Sequence, residues 1–155
     1  MEIKRATEKD IEGINNLLFQ VLKIHHNGRP DLFKADAKKY TDEELSVILK
    51  DKTKPIFVAK DDEKIHGYAF CVFKQNKDDN IMTDRKTLYI DDLCVDENSR
   101  GQNIGKKLYD HVIAFAKENE CYNVTSNVWS CNQSAIKFYE KCGLKPQKIG
   151  METIL

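Results

Sequence analysis

Proline is scarce in this sequence, with three residues in 155, and glycine numbers only seven. Pro30, Pro55 and Pro146 stand far apart and mark no flexible linker, so one domain covering residues 1–155 is expected. Neither sign of charge is in surplus: 25 Lys plus Arg meet 25 Asp plus Glu, which argues against a basic nucleic-acid binder. No run approaches the roughly 18 apolar residues of a membrane span. The opening Met-Glu-Ile-Lys-Arg-Ala-Thr-Glu also lacks an apolar signal core. The expected setting is the cytoplasm, with neither nucleic acid nor membrane as partner.

Cysteine is present but unpatterned. Cys71, Cys94, Cys121, Cys131 and Cys142 are odd in number and contain no C-x-x-C pair, so reduced, mostly buried thiols are expected. The four histidines do not fall at ligand spacing with them, and no metal is expected. What the chain does have is 41% hydrophobic and 32% charged residues, the balance of a globular domain.

Periodicity orders the elements. Residues 3–5 read as a strand; Thr7 then caps a helix whose Ile11, Ile14, Leu17, Leu18, Val21 and Leu22 share one face. The segment His-His-Asn-Gly-Arg-Pro-Asp-Leu-Phe, 25–33, is expected to break it through Gly28 and Pro30, and 40–50 reads as a second helix. Residues 55–60 and 65–73 predict an antiparallel hairpin turned by Asp-Asp-Glu-Lys. Residues 87–95 form a third long strand, followed by a helix over 104–119, a strand over 122–129 and a helix over 133–141 ended by Gly143. A last strand is expected over 147–155. The class is α/β: a mixed, mostly antiparallel sheet flanked by helices, with a parallel crossover from residue 88 to 129.

The stretch Ser-Arg-Gly-Gln-Asn-Ile-Gly-Lys-Lys-Leu, 99–108, lies where the third strand hands over to a helix. A helix N-terminus presents unpaired N–H groups at the positive end of its dipole and suits an anion. Gly101 and Gly105 permit close backbone approach, Asn103 tolerates a left-handed conformation, and Arg100, Lys106 and Lys107 add charge. A plain helix start with solvated cations is the alternative. The nucleotide motif G-x-x-x-x-G-K-[ST] is excluded because Gly101 and Gly105 are one residue too close and Lys107 replaces the Ser or Thr. The dinucleotide pattern G-x-G-x-x-G is absent.

"RGQNIG" after "YIDDLCV" resembles the acyl-CoA pyrophosphate loop of the GNAT acyltransferase superfamily, [QR]-x-x-G-x-[GA], with Arg100 and Gly105 matching and Asn103 in place of the first glycine. "NQSAIKFYEKCGL", from Asn132 to Leu144, is similar to the family's N-x-x-A-x-x-F-Y-x-x-x-G-F signature, with Leu144 for the last Phe.

The resemblance implies transfer of an acetyl group from acetyl-CoA to an amine, in a possible homodimer. It assigns cofactor contacts to Leu93, Cys94 and Val95 on the strand, to Arg100, Gly101, Gln102, Asn103, Ile104, Gly105 and Lys106 in the loop, and to Asn132. It also makes Tyr139 the acid that protonates the leaving thiolate. On helical spacing alone, Tyr139 reads equally as core beside Ala135, Phe138 and Cys142, and Asn132 as an N-cap.

An amine with a pKa of about 10.4 must shed a proton before it attacks. Asp91 and Asp92 interrupt an apolar strand, where carboxylates are costly to bury, and one of them suits that task. Strict alternation puts Asp91 on the face of Leu93 and Val95 and favours it, leaving Asp92 for substrate binding; a bulge reverses the choice. The other alternative is an edge carboxylate without catalytic work. "IDDLCV" also resembles the strand of polyamine acetyltransferases.

His25, His26, Arg29, Asp31 and Phe33 are candidates to line the acceptor site, or else form a structural loop anchored by Pro30 and Phe33; Trp129 reads as packing. The acceptor classes left open are a small cationic amine, which the paired aspartates favour, an amino acid, an antibiotic, or a protein N-terminus or lysine. A non-catalytic acyl-CoA sensor and an interaction module built on 25–33 are the competing functions.

Overall fold

The computed structural model describes residues 1–62 and 64–155. The expected turn at 61–64 includes Glu63, which lies outside the described residues. Strands β1 (Glu2–Arg5), β2 (Ile56–Lys60), β3 (Ile65–Gln75), β4 (Lys86–Val95) and β5 (Asn123–Ser126) form one sheet in the order β1-β2-β3-β4-β5. Neighbours from β1 to β4 are antiparallel, and β4 pairs with β5 in parallel. Helices α1 (Ile11–Gly28), α2 (Asp42–Lys50), α3 (Ile104–Glu118) and α4 (Gln133–Lys141) connect and cover it. The mixed sheet with its parallel crossover matches the sequence-based expectation.

Two cores follow from strand alternation. Ile56, Val58, Tyr68, Phe70 and Cys94 face α1 and α2, where Ile14, Leu17, Leu18 and Leu45 are buried against them. Phe57, Ala59, Ala69, Cys71, Leu88 and Ile90 face α3 and α4, meeting Ile104, Leu108, Val112 and Tyr139. Consecutive residues of β2 therefore serve opposite cores, which is why its sequence is a continuous apolar run. Truncating a fully buried leucine such as Leu17 or Leu108 to alanine costs about 2–5 kcal/mol.

Local chemistry sets the helix ends. Thr41 Oγ1 accepts the Glu44 N–H at 3.1 Å while the Glu44 carboxylate accepts the Thr41 N–H at 3.2 Å, so α2 starts at Asp42 rather than at residue 40. The break expected through Gly28 and Pro30 falls there: α1 continues through His25 and His26 and its last residue is Gly28. It stops at Arg29 (φ −141, ψ 73), which Pro30 forces out of the helical region. Gly28 is required by packing, because a Cβ there would lie 2.8 Å from Cys131 Sγ.

Strand β4 is bulged. Phe70 pairs with Asp92 and Cys71 with Ile90, leaving Asp91 as the extra residue. The β4–β5 ladder stops at the same place, with Ile90 opposite Ser126. For that reason β5 covers only 123–126 of the expected 122–129. The strand expected over 147–155 forms no ladder. Residues 145–155 are exposed and irregular, since a strand exists only against a partner and no described strand pairs with them.

Cys71 and Cys94 are buried, and burial pushes both thiols up to about 12; Cys121, Cys131 and Cys142 are only half-buried. The expectation of mostly buried thiols is thus too strong, because the last three sit where α3 ends and around α4 at the edge of the core. All five are free.

Candidate active site

The site begins where β4 and β5 part. Past Ile90 and Ser126 the parallel ladder is over, so the β4 edge from Asp91 to Val95, with Leu93 and Cys94, carries N–H and C=O groups that β5 does not pair. An extended ligand fits such an edge.

The loop from β4 to α3 is fastened from behind. Asp96, 3% exposed, accepts from the Asn98 N–H at 3.2 Å, Gln20 Nε2 at 3.2 Å and Lys64 Nζ at 2.8 Å. His66 gives Nε2–H to Asp61 at 2.6 Å, which leaves Nδ1 to accept the Ser99 hydroxyl at 2.8 Å. Carboxylate, imidazole and hydroxyl in a row have the order of a hydrolase triad. Ser99 is only 1% exposed, however, so no substrate reaches it, and the row acts as a brace.

In front, Gly101 has φ +80 and Asn103 φ +63, ψ 23, so the chain turns through two left-handed residues into α3. Asn103 takes the conformation the sequence allows it. The N–H groups of Ile104, Gly105 and Lys106 open the helix at its positive end, with the first intrahelical bond running from Lys107 N to Asn103 O. Arg100 and Gln102 flank this turn, and Lys106 pairs with Asp110 one helical turn on. Gly105 also serves packing: a Cβ there would stand 2.9 Å from Phe138 Cε1 and 3.5 Å from Val95 Cγ2.

Asn132 caps α4, its Oδ1 accepting the Ala135 N–H at 3.2 Å. Two turns on from that cap, Tyr139 is 9% exposed and lies beside Ser126, where the β4–β5 ladder ends. Ser126 is its polar neighbour, and the Ser126 hydroxyl donates to the Ile90 carbonyl at 3.1 Å. Burial holds the phenol pKa well above its ordinary value, so it stays protonated at neutral pH and is able to donate.

The opposite face carries the acids. Asp91 does not share the face of Leu93 and Val95, which pack in the α3 core; the bulge turns it toward α2. There Tyr40 donates to Asp91 Oδ2 at 2.6 Å and Lys39 Nζ pairs with the same oxygen at 2.9 Å. Asp92 points to the same side and accepts from Tyr68 at 2.6 Å. Burial pushes the Asp92 carboxyl up to about 6, while the Tyr68 hydrogen bond and Lys39 pull the other way. Tyr40 and Phe70 stack at 5.5 Å, and a cleft of about 290 Å³ lies among them, Tyr89 and Asp91. A larger hollow of about 430 Å³, by Arg85, Lys86 and Tyr122, is remote from these groups.

The segment after α1 folds toward the same end. Phe33 meets Trp129 edge-on at 5.0 Å and His25 at 5.0 Å, so half-exposed Trp129 belongs to an aromatic cluster with this segment. Burial and the nearby Lys39 charge lower the His25 pKa. His26 Nδ1 bonds to the Phe33 carbonyl at 2.7 Å. Arg29 grips Asp31 through two bonds of 2.9 Å and also holds Glu152. His26, Arg29 and Asp31 therefore shape this segment, and Phe33 is its member in the cluster.

Lys39, Tyr40, Tyr68, Ser126, Asp96 and His66 escaped the sequence reading. Only Tyr68 had a signal, a polar-tipped residue at an alternating core position of an apolar strand.

Residues 20–144 match the model of the Acetyltransferase (GNAT) family. The chain is 32% identical over 106 residues to a glucosamine 6-phosphate N-acetyltransferase of Arabidopsis thaliana, covering 57% of this chain and 69% of that protein. It is 39% identical over 57 residues to the peptidyl-lysine N-acetyltransferase YjaB of Salmonella typhimurium, 37% of this chain and 36% of that one. The chain spans less than half the length of most curated relatives it matches. Among solved structures, a tetramutant of the BH1408 protein from Bacillus halodurans superposes with a TM-score of 0.95 at 30% identity, over 100% of both chains. With the matched residues holding the open β4 edge, the turn into α3 and the α4 tyrosine, the chain belongs to the GNAT acetyltransferase family.

Proposed function

We propose that this protein transfers the acetyl group of acetyl-CoA to the primary amine of a small cationic acceptor. The observation that carries the reading is the bulge at Asp91. It ends the β4–β5 ladder, leaving an open strand edge with Tyr139 and Ser126 on one face and the carboxylates of Asp91 and Asp92 on the other. The turn through Gly101 and Asn103 fits a pyrophosphate, and the edge at Leu93, Cys94 and Val95 fits a pantetheine amide chain.

Acetyl-CoA supplies a thioester whose carbon the amine attacks directly. In this assignment Asp92 Oδ takes up the ammonium proton, directly or through water, and Asp91 with Tyr40 orients the cation. The bulge thus moves the proton-transfer role from Asp91, favoured under strict alternation, to Asp92. Tyr139 holds its proton by burial and gives it to the departing sulfur. Asn132 steadies α4 beneath that tyrosine. The phenyl ring of Phe33 closes the acceptor side. Free cysteines throughout suit a reducing compartment such as the cytoplasm, and a pair of copies as the working unit rests on the family resemblance alone.

A second acceptor class, the lysine side chain of a protein, is favoured by one observation: the ammonium of Lys39 rests on Asp91 at 2.9 Å. Thiol release from acetyl-CoA, measured against polyamines, amino sugars, aminoglycosides and lysine peptides, separates the two. Turnover of a free amine supports the first, and turnover confined to peptides supports the second.

A further inference from the structure

We propose that Lys39 is acetylated by the protein's own site: when no acceptor is present, its Nζ takes the acetyl group of bound acetyl-CoA. The inference rests on the reading in which Asp91 and Asp92 receive the acceptor's ammonium, and deepens it.

That reading puts an external ammonium on Asp91, and the structure already holds an internal one there. Lys39 Nζ lies 2.9 Å from Asp91 Oδ2, the oxygen that also accepts the Tyr40 hydroxyl at 2.6 Å. The Lys39 charge reaches Asp92 as well, where it works against the burial that raises that carboxyl. Among the described ion pairs, Lys60 with Asp10, Lys64 with Asp96 and Lys106 with Asp110 serve helix ends and loops. The Lys39 pair ends on a carboxylate of the site.

The placement is built by the neighbours on either side. Lys39 belongs to the irregular stretch 29–41 between α1 and α2. Before it, Lys38 Nζ donates to Asn15 Oδ1 at 2.8 Å and pairs with Asp42. After it, Tyr40 stacks on Phe70 at 5.5 Å. With both neighbours pinned, the side chain between them is aimed along the acidic pair. At 46% exposure its ion pair is worth less than about 1 kcal/mol, so the ammonium leaves Asp91 readily.

The transfer then follows the course assigned to an acceptor. Asp92 takes one proton from the ammonium, and the neutral Nζ attacks the thioester carbon. A C–N bond forms, the C–S bond breaks, and its electron pair goes to sulfur, which Tyr139 protonates. The second nitrogen proton returns through water to the Tyr139 oxygen. The products are an amide on Lys39, the CoA thiol and one proton, which Asp92 releases to solvent. An acetylated lysine carries no charge, so Asp91 is left open to a cationic acceptor. Self-acetylation thereby removes the site's own competitor.

The test incubates the full chain with acetyl-CoA and no amine, locates acetyl-lysine by peptide mass spectrometry, and follows free-amine turnover in parallel. The expected result is a single acetyl group, at Lys39. Its rate per molecule should not change with protein concentration, and should fall about tenfold or more under excess free CoA. Lys39→Arg, its fold verified by a CoA-induced melting shift, should lose the label. Preincubated protein should show a KM for a cationic amine up to about fivefold lower than protein assayed at once. Free-amine turnover without a label at Lys39 overturns this proposal and leaves the proposed function standing, whereas neither label nor turnover overturns both. A label scattered over exposed lysines and indifferent to free CoA is solution chemistry and overturns the proposal too. A label at Lys39 without free-amine turnover supports it and moves the acceptor class to peptide lysines.

Discussion

Asp91 and Asp92 are neighbours in sequence yet point to the same side of the sheet, one receiving the hydroxyl of Tyr40 and the other that of Tyr68, each at 2.6 Å. In a regular strand consecutive residues face opposite ways. The bulge at Asp91 cancels that rule at one position and builds an acidic pair from a local sequence of two letters.

Asp92→Asn tests the proton-transfer role. Turnover should fall by about 10²–10⁴, the usual contribution of a positioned base. Because the folded carboxyl titrates at about 6, activity of the native protein should rise with pH through that value, and the variant should lack that limb. Stability follows the opposite course. A carboxyl raised from 3.8 disfavours the folded state increasingly as pH climbs from 3.8 to about 6, so the variant should melt no lower than the native protein above pH 6.

Lys39→Met tests whether the internal ammonium competes with the acceptor for Asp91. The pair is partly exposed, so its loss should change stability by less than about 1 kcal/mol. The KM of a cationic acceptor should fall by up to about fivefold, with kcat nearly unchanged.

Asn103 and Gly105 answer differently to substitution. Asn103→Val places a β-branched residue at φ +63 and should cost about 1–2 kcal/mol, whereas Asn103→Gly should be tolerated. Gly105→Ala drives a methyl to 2.9 Å from Phe138 and should cost about 1–3 kcal/mol in urea denaturation.

Ser99→Ala removes the hydroxyl at the end of the His66 brace. The expected loss is about 0.5–1.5 kcal/mol of stability, together with weaker CoA binding in calorimetry, since the loop it holds leads directly into Arg100 and Gly101.

The contrast between these residues explains what was legible beforehand. The turn at 100–105 and the Asn132-to-Leu144 helix are local: a left-handed Asn103, a capping Asn132 and a helix start follow from neighbours a few positions away. The helix faces were readable for the same reason. The partners of the acidic pair were not, because Tyr40 and Tyr68 meet Asp91 and Asp92 only after a register shift that periodicity cannot foresee. The brace joining Lys64, His66, Asp96 and Ser99 depends on pairing across β3 and β4 and was equally hidden. The strand expected over 147–155 rested on alternation alone, and alternation names no partner: the segment joins no described strand.

Thiol release from acetyl-CoA with a cationic amine, in the native protein and in Tyr139→Phe, tests the central claim most directly. The account predicts turnover in the native protein and a loss of about a hundredfold or more in the variant, with CoA affinity unchanged. Equal turnover in the two proteins, or no CoA binding by either, would contradict it.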